Sequence, residues 1–502
     1  MKDEVHVLVE NFSGKEWNPT TQALYYETLA ENEFFVGSTE GDLGFKARDR
    51  ITRAPKALGV VDLSPTISLT PAGKEYVYGK RPHEAFTRQL LKFQFPSPYH
   101  TDADTTFSVR PYLELLRLVY EIETLSKDEI AAFFMQLTHI DKYPSTKNKI
   151  LDFRRKVKQI DRSKSNYKRF FDERFTEEIL AIYAQNIASG ELKIRQSSEA
   201  SKIKFIKTKK GNHKDYADAA IRYLRETQLV SLRSSRSTRI YIPPEKKREV
   251  EYILNSVPRE PVHITDEKAY KEYLFNPAIP ALFTDDKNLL VEAILQQKPA
   301  AKKEDLTKLT ISDLKDVKHS ILVDRVEQEI GKQIKSLQLY EGYDDISMTY
   351  DSILKKEVID APVFMEWNTW RALTMLDDGE INGNFGLDDT GLPLSTAPGN
   401  TADIICRYKD FDLIVEVTLS TGARQSFMES EPVPRHLGKH KEVNNKDTYG
   451  LFIAVSLNSA TIAHFYALHS QKIKLYGGRA KIIPLSLSDF RKMLEAAYEQ
   501  EK

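Results

Sequence analysis

Two apolar runs near the C-terminus, ADIICRY and FDLIVEVTL, are separated only by Lys409 and Asp410. Runs joined by so short a link have little choice but to pair as an antiparallel hairpin. The segments around them alternate in period. VFMEWNTWRALTML has helical spacing, with Val363, Trp367, Trp370 and Thr374 along one side. RHLGKHKEV reads as a helix, TYGLFIAV as a strand, SATIAHFYALHS as a helix, AKIIPLSL as a strand and SDFRKMLEAAYEQ as a closing helix. The order α-β-β-α-β-α-β-α calls for a mixed sheet with helices on its faces, so an α/β domain is expected over residues 361–502.

The hairpin carries acids that a core strand does not need. Asp403 stands near the start of the first run and Glu416 near the end of the second, thirteen positions apart. A turn at Lys409-Asp410 brings them close. Side chains repeat every two residues, so Glu416 and Thr418 share a face, with the peptide carbonyl of Val417 between them. Two carboxylates and a main-chain carbonyl form an all-oxygen set. Mg²⁺ takes such ligands and keeps waters for a substrate phosphate. An ion held there activates a water and offsets the charge that builds on a phosphodiester. The plainer alternative has Asp403 capping a turn and Glu416 meeting a lysine. Spacing alone leaves the two readings open. Cys406 alternates along the first run beside Ile404 and Ile405 as a buried apolar residue. As the one cysteine of the chain it excludes an intramolecular disulfide and a multi-cysteine zinc site.

At 502 residues the chain is too long for a single core. Lys+Arg and Asp+Glu both total 73, so net charge alone names no polyanionic partner. The balance conceals an asymmetry, because residues 202–248 hold 14 Lys or Arg against 4 Asp or Glu. A localised basic stretch is the footprint of a polyanion-binding face, although a solvated lysine-rich surface would look the same. Within it, Tyr216, Ala219, Ala220, Tyr223 and Leu224 fall on one face of an amphipathic helix, which leaves Arg222 and Arg225 exposed. LVSL, the basic turn RSSRSTR and IYI read as a two-stranded hairpin with Arg233, Arg236 and Arg239 at its tip. PPEKKREVEYIL follows as a helix. Upstream, LSKDEIAAFFMQL starts with a capping box of Ser126 and Glu129. Helix, hairpin and helix with a basic tip are the parts of a winged helix, in which one helix enters the major groove.

A similar plan stands nearer the N-terminus. FKARDRITRAPKALGVVD carries Arg48, Arg50, Arg53 and Lys56, and Pro55 leaves open whether it is one helix or a turn and a helix. TISLT reads as a short strand, Thr70-Pro71 opens the next helix and Gly79 closes it. Arginine suits bidentate contact with guanine; pairing with nearby acids is the competing explanation. Residues 311–340 form a long helical pattern with Leu314, Ile321, Leu322, Val326, Ile330, Ile334 and Leu337 as its apolar stripe, read as a spacer. The opening MKDEVHVLVENF has no basic-then-apolar leader, and no run of eighteen apolar residues exists, so a soluble, cytoplasmic protein without membrane contact is expected.

The stretches PVFMEWNTW, APGNTADIICRYKDFDLIVEVTLSTGARQSFMESEPVPRHLGKHKEV, GLFIA and RAKIIPLSLSDF closely resemble the catalytic domain of AlwI-family type IIS restriction endonucleases and their site-specific nicking relatives. FKARDRITRAP, KRPHEAFTRQLLKFQFPS, LSKDEIAAFF and YADAAIRYLRETQL resemble that family's recognition region, so the likeness covers nearly the whole chain. It implies an α-rich N-terminal winged-helix DNA-recognition region, a helical linker and a C-terminal restriction-endonuclease-like α/β nuclease domain. The parts are placed at residues 1–115 and 116–262 (two winged-helix-type subdomains), 263–360 and 361–502. It implies Mg²⁺-dependent hydrolysis of double-stranded DNA a few base pairs to one side of an asymmetric site, with a transient dimer or a second subunit where both strands are cut. The family's active-site positions fall on Glu366, Asp403, Glu416, Val417, Glu429 and His436. By that resemblance Asp403, Glu416 and the Val417 carbonyl bind the metal. Glu366 supports the metal or a water on it, and Glu429 and His436 hold water or phosphate oxygens. Thr418 stands where the wider nuclease fold has lysine, which leaves Arg424, Arg435 or His436 to supply a cation. A winged-helix regulator that does not cut is the rival function, and five intact site residues weigh against it.

Overall fold

The computed structural model describes residues 1–32, 35, 40–100, 106–160, 164–192, 194, 201–234, 238–376, 379–399 and 401–501. The chain divides into two compact units, one formed mainly by Met1–Asp316 and the other by Val317–Lys502. The division falls inside the helix Ile311–Gln338, whose 28 residues span about 42 Å. Of its apolar stripe, Leu314, Leu322 and Leu337 are buried, and the others stay partly exposed. No helix among the described residues is long and apolar enough to cross a membrane.

In the first unit the Asp42 carboxylate caps the helix Leu43–Ile51 by accepting the Phe45 N–H at 2.8 Å. Pro55 cannot continue that helix, and Thr52–Lys56 form a wider π-type turn. Val61–Asp62 then pairs antiparallel with Ser68–Leu69. Thr70 caps Pro71–Tyr78 through Oγ1, which accepts from the Gly73 N–H at 2.9 Å. A Cβ on Gly73 would lie 1.9 Å from the Val60 carbonyl, so only glycine fits where that helix meets the hairpin.

Further along, the helix Pro111–Ile122 leads into a short strand, Thr124–Ser126, and the helix Lys127–Ala132 with its Ser126–Glu129 capping box. After the helices Tyr143–Val157 and Lys164–Ile182 comes the long helix Lys202–Glu226. The strands Ser231–Leu232 and Arg239–Tyr241 follow it. The sequence reading of a two-stranded hairpin is short by one strand. Thr124–Ser126 adds to Arg239–Tyr241 on its other side, making three antiparallel strands. The buried face of Lys202–Glu226 is also turned from the expected one. Ala217, Ala220, Ile221 and Leu224 go inward and Tyr216 is exposed.

The second unit is built on a five-stranded sheet. Its strands are β1 (Glu380–Gly383), β2 (Ile404–Arg407), β3 (Phe411–Thr418), β4 (Asp447–Ala454) and β5 (Ile482–Ser486), in the spatial order β5-β4-β3-β2-β1. β1, β2 and β3 are antiparallel neighbours, whereas β3, β4 and β5 run parallel. The helices are α1 (Ala361–Met375), α2 (Gly422–Glu429), α3 (Pro432–Val443), α4 (Ser459–Ser470) and α5 (Leu487–Glu501). Two of these labelled elements were not read from the sequence. EING in β1 is a weak strand former that survives at the edge, and GARQSFME in α2 opens with glycine. α1 is buried on every side rather than one, with Val363 through Met375 all enclosed. It packs against the sheet and the helix Tyr343–Leu354. Two of its inward polar groups are held there: Asn368 Nδ2 donates to the Ile346 carbonyl at 3.0 Å, and Arg371 reaches Asp345 at 2.7 Å. Ile414, Phe452, Leu437 and Phe465 centre the core between the sheet and helices α3 and α4.

Candidate active site

The β2–β3 register determines the site. Arg407 faces Asp412 and Ile404 faces Val415, and the Tyr408 N–H donates to the Phe411 carbonyl at 3.0 Å. Continued by one residue, the ladder sets Asp403 opposite Glu416. The Val417 N–H donates to Asp403 Oδ2 at 2.8 Å. The main-chain N–H and C=O of a strand residue face the same neighbour, so the Val417 carbonyl also lies on the Asp403 side, beyond the end of β2. Just past β1, the Asn384 N–H donates to the Asp403 carbonyl at 2.9 Å and its side chain holds the Ala402 carbonyl at 2.6 Å.

Three helices complete the cluster. α1 supplies Glu366, 7% exposed, whose Oε2 accepts the Ala397 N–H at 2.9 Å. α2 ends on Glu429, which accepts a hydrogen bond from the Thr418 hydroxyl. α3 brings His436, whose Nδ1 lies 2.7 Å from Glu416 Oε1. Burial pushes the carboxyls of Glu366, Asp403, Glu416 and Glu429 upward. Their mutual repulsion adds to it: Asp403 acts on Glu366, and Glu429 on both Glu416 and Asp403. Glu366 is pushed up to about 9. Burial pushes the His436 imidazole down to about 4, and the nearby charges of Arg435 and Lys439 add to the shift, so the ring is neutral at neutral pH. In the metal-free protein His436 thus carries no charge to stand in for the lysine that the wider nuclease fold has at Thr418. Four acids crowded out of water with raised affinity for protons make a place that favours any cation.

Asp403, Glu416 and the Val417 carbonyl offer an all-oxygen donor set, the kind that suits a hard divalent ion. Among the described residues no three acids, histidines or cysteines close into a ready-made metal cage. Of the two arginines considered as the missing cation, Arg424 is exposed with its Nε 3.3 Å from Met428 Sδ, and Arg435 donates to Glu431 at 2.8 Å.

Three supporting residues escaped the sequence reading. Gln425 of α2 is wholly buried. Its Nε2 donates to the carbonyls of Ser420 at 2.9 Å and Ser456 at 2.8 Å, and its Oε1 accepts the Asn458 N–H at 2.7 Å. It thus fixes α2, and with it Glu429, to the loops after β3 and β4. Asp412 and His440 form a second carboxylate–imidazole pair at 2.8 Å, one helical turn and four strand residues from Glu416–His436. The two pairs pin α3 across β3. The signal in the sequence was His436 and His440 four apart on a helix, facing Asp412 and Glu416 four apart on a strand.

The basic residues singled out for DNA are mostly engaged inside the protein. Arg48 donates to Gln22 at 2.6 Å, Arg50 pairs with Glu4, and Arg53 pairs with Asp49 at 2.7 Å. The Lys56 ammonium sits 4.7 Å over the Tyr99 ring. Arg222 is exposed and reaches Asp218 at 3.2 Å. Arg225 is 2% exposed, contrary to the sequence reading, because the buried stripe turns by about one residue and takes it in. Arg233 is exposed on the hairpin. Arg239 lies 3.2 Å from Glu129, a fully buried carboxylate also held by Arg154 at 2.7 Å. Burial pushes Glu129 up, but the two arginines outweigh it and hold the carboxyl below its usual range. Arg236 lies outside the described residues.

Among solved structures similar to this chain is the small subunit of the heterodimeric restriction endonuclease R.BspD6I, at 28% identity over 32% of this chain and 80% of that one, with a TM-score of 0.28. Another is the BpuJ1 endonuclease binding domain in complex with pyrene- and phenanthrene-modified DNA, at 14% identity over 54% of this chain and 90% of that one, with a TM-score of 0.34. No curated protein matches the sequence. Residues 57–493 match the family described as AlwI restriction endonuclease, an extent that includes the whole acidic cluster. The chain belongs to the AlwI restriction endonuclease family and is a site-specific nuclease.

Proposed function

We propose that the protein is a type IIS enzyme, which reads a short asymmetric site on double-stranded DNA and hydrolyses phosphodiester bonds a few base pairs to one side. The observation that carries this reading is the Asp403–Val417 contact, which puts two carboxylates and a strand carbonyl at one point of the sheet. Asp403, Glu416 and the Val417 carbonyl would hold Mg²⁺, which supplies an activated water and stabilises the charge on the phosphate. Glu366 is suited to hold a proton or a water beside that ion. Glu429, oriented by Thr418 and Gln425, is a hydrogen-bonding partner for water. His436, whose Nδ1–H would donate to the ionised Glu416, presents the lone pair of its other ring nitrogen to a water.

Recognition is assigned to residues 1–262 and chemistry to 361–502. The three-stranded sheet, with Lys202–Glu226 leading into it and packed against Lys127–Ala132, supports a winged-helix reading of residues 116–262. Arg48, Arg53 and Arg222 are the remaining candidates for contacts near bases, Arg233 is kept as a contact to the phosphate backbone, and Arg225 is withdrawn. A cytoplasmic location suits an enzyme of DNA. A strand-specific nicking enzyme is the second reading, favoured by the single acidic cluster of the described second unit. Cutting both strands then needs a transient dimer or a second subunit. Supercoiled plasmid incubated with the purified protein, with and without Mg²⁺, tests the proposal. Linear product that requires Mg²⁺ supports double-strand cleavage, open circles alone support nicking, and an unchanged plasmid refutes both.

A further inference from the structure

The helix Lys202–Glu226 starts in a way that weakens it as an isolated element. Its first half, KIKFIKTKKGNHK, holds six lysines and no carboxylate. The first turn has no acid and Ser201 makes no side-chain cap, although acids are the residues that suit a helix N-terminus. Lysines three and four apart, such as Lys204 with Lys207 and Lys210 with Lys214, repel one another. Lys210 has an internal task, since its ammonium pairs with Asp172 and donates to Thr176 Oγ1 at 2.9 Å. Lys209 packs 4.6 Å over the Tyr183 ring. Lys204, Lys207 and Lys214 are exposed.

These three fall at i, i+3 and i+10, and Gly211 occupies i+7 of the same stripe. A glycine inside a helix costs stability relative to alanine, and nothing lies within 4 Å of where a Cβ on Gly211 would stand, so packing does not require it. A bare point on a lysine stripe is where a bulky anion can approach the helix backbone. Lys204 to Lys214 spans about 15 Å, close to four steps of 3.4 Å along one strand of B-DNA.

We propose that Lys204, Lys207 and Lys214, with Gly211 between them, form a track for the phosphate backbone of duplex DNA, distinct from the arginines near the hairpin. The inference rests on the reading of residues 1–262 as the DNA-binding part. The track contributes affinity without sequence choice, because phosphates are the same at every step.

The test uses the full-length protein without Mg²⁺, a duplex carrying the cleavage site and a random duplex of equal length, over a salt series. Lys204→Ala/Lys207→Ala/Lys214→Ala should weaken binding to both duplexes by the same factor and reduce the slope of log affinity against log salt by about 2.7, at about 0.9 per phosphate. The triple Lys→Arg variant should restore the slope. In the otherwise native chain, Gly211→Glu should weaken both complexes more than Gly211→Ala does, and both residues favour helix, so folding is retained. An unchanged slope in the triple Ala variant overturns the track, and so does a loss confined to the specific duplex. A native protein that binds neither duplex overturns the underlying reading as well, which separates the two failures.

Discussion

Glu366→Gln replaces the ionisable carboxyl of the acidic cluster with a neutral amide while keeping an oxygen for the Ala397 N–H. In the metal-free protein the Glu366 carboxyl is pushed up to about 9 from an ordinary 4.5, first by burial and then by Asp403. The folded state therefore holds a proton that the unfolded chain releases near pH 4.5. Stability falls as pH rises between those two values. At pH 7.5 the chain is three units above the unfolded value, and at about 1.36 kcal/mol per unit the loss is at most about 4 kcal/mol. Glutamine carries no such loss. Even half of it is a rise of roughly 4–8 °C in Tm, at about 2–4 °C per kcal/mol for a domain of this size. The assay is thermal unfolding in chelator from pH 4.5 to 8.5, for native protein and variant. The curves should meet near pH 4.5 and part steadily above it, with the variant more stable, while its cleavage of DNA with Mg²⁺ falls by about a hundredfold or more. Equal Tm values at pH 8, or a gap that does not change with pH, would refute the account of a charge-crowded site.

Asp403→Ala and Glu416→Ala should abolish cleavage and leave specific binding within a few-fold in a gel-shift assay, because the reader is assigned to another part of the chain. Arg154→Ala should lower stability by about 3 kcal/mol, seen as a lower urea midpoint, because it strips the closest partner from the fully buried Glu129. Gln425→Leu leaves two carbonyls and an N–H without their partner at about 1–3 kcal/mol for each group. It should cut the turnover rate more than DNA affinity, measured under single-turnover conditions with excess enzyme.

Much of the nuclease unit was legible because its strands are apolar and its turn is short. A two-residue link between ADIICRY and FDLIVEVTL fixes the register, and the register alone sets Asp403 against Glu416. Glu366, Glu429 and His436 were legible only through family likeness, since helices bring them in and their placement depends on tertiary packing. β1 was missed because Glu-Ile-Asn-Gly has little strand propensity and is held by its neighbours, including a hydrogen bond from Trp370 Nε1 to the Ile381 carbonyl at 3.0 Å. Arg225 shows how periodicity can mislead. Tyr216 and Tyr223 made a convincing stripe, but the helix buries Ala217 and Ile221, and that turn of about one residue draws an arginine inside. Charge counting likewise located the basic segment without showing that Arg239 is occupied by Glu129.

The most direct measurement is sequencing of both strands' ends after plasmid DNA is digested with the purified protein and Mg²⁺, beside the same digest with Asp403→Ala. The account predicts ends at one fixed distance from a common short asymmetric sequence, on one strand or on both, and none with the variant. Ends scattered without a shared flanking sequence, or an unchanged cleavage pattern from Asp403→Ala, would contradict it.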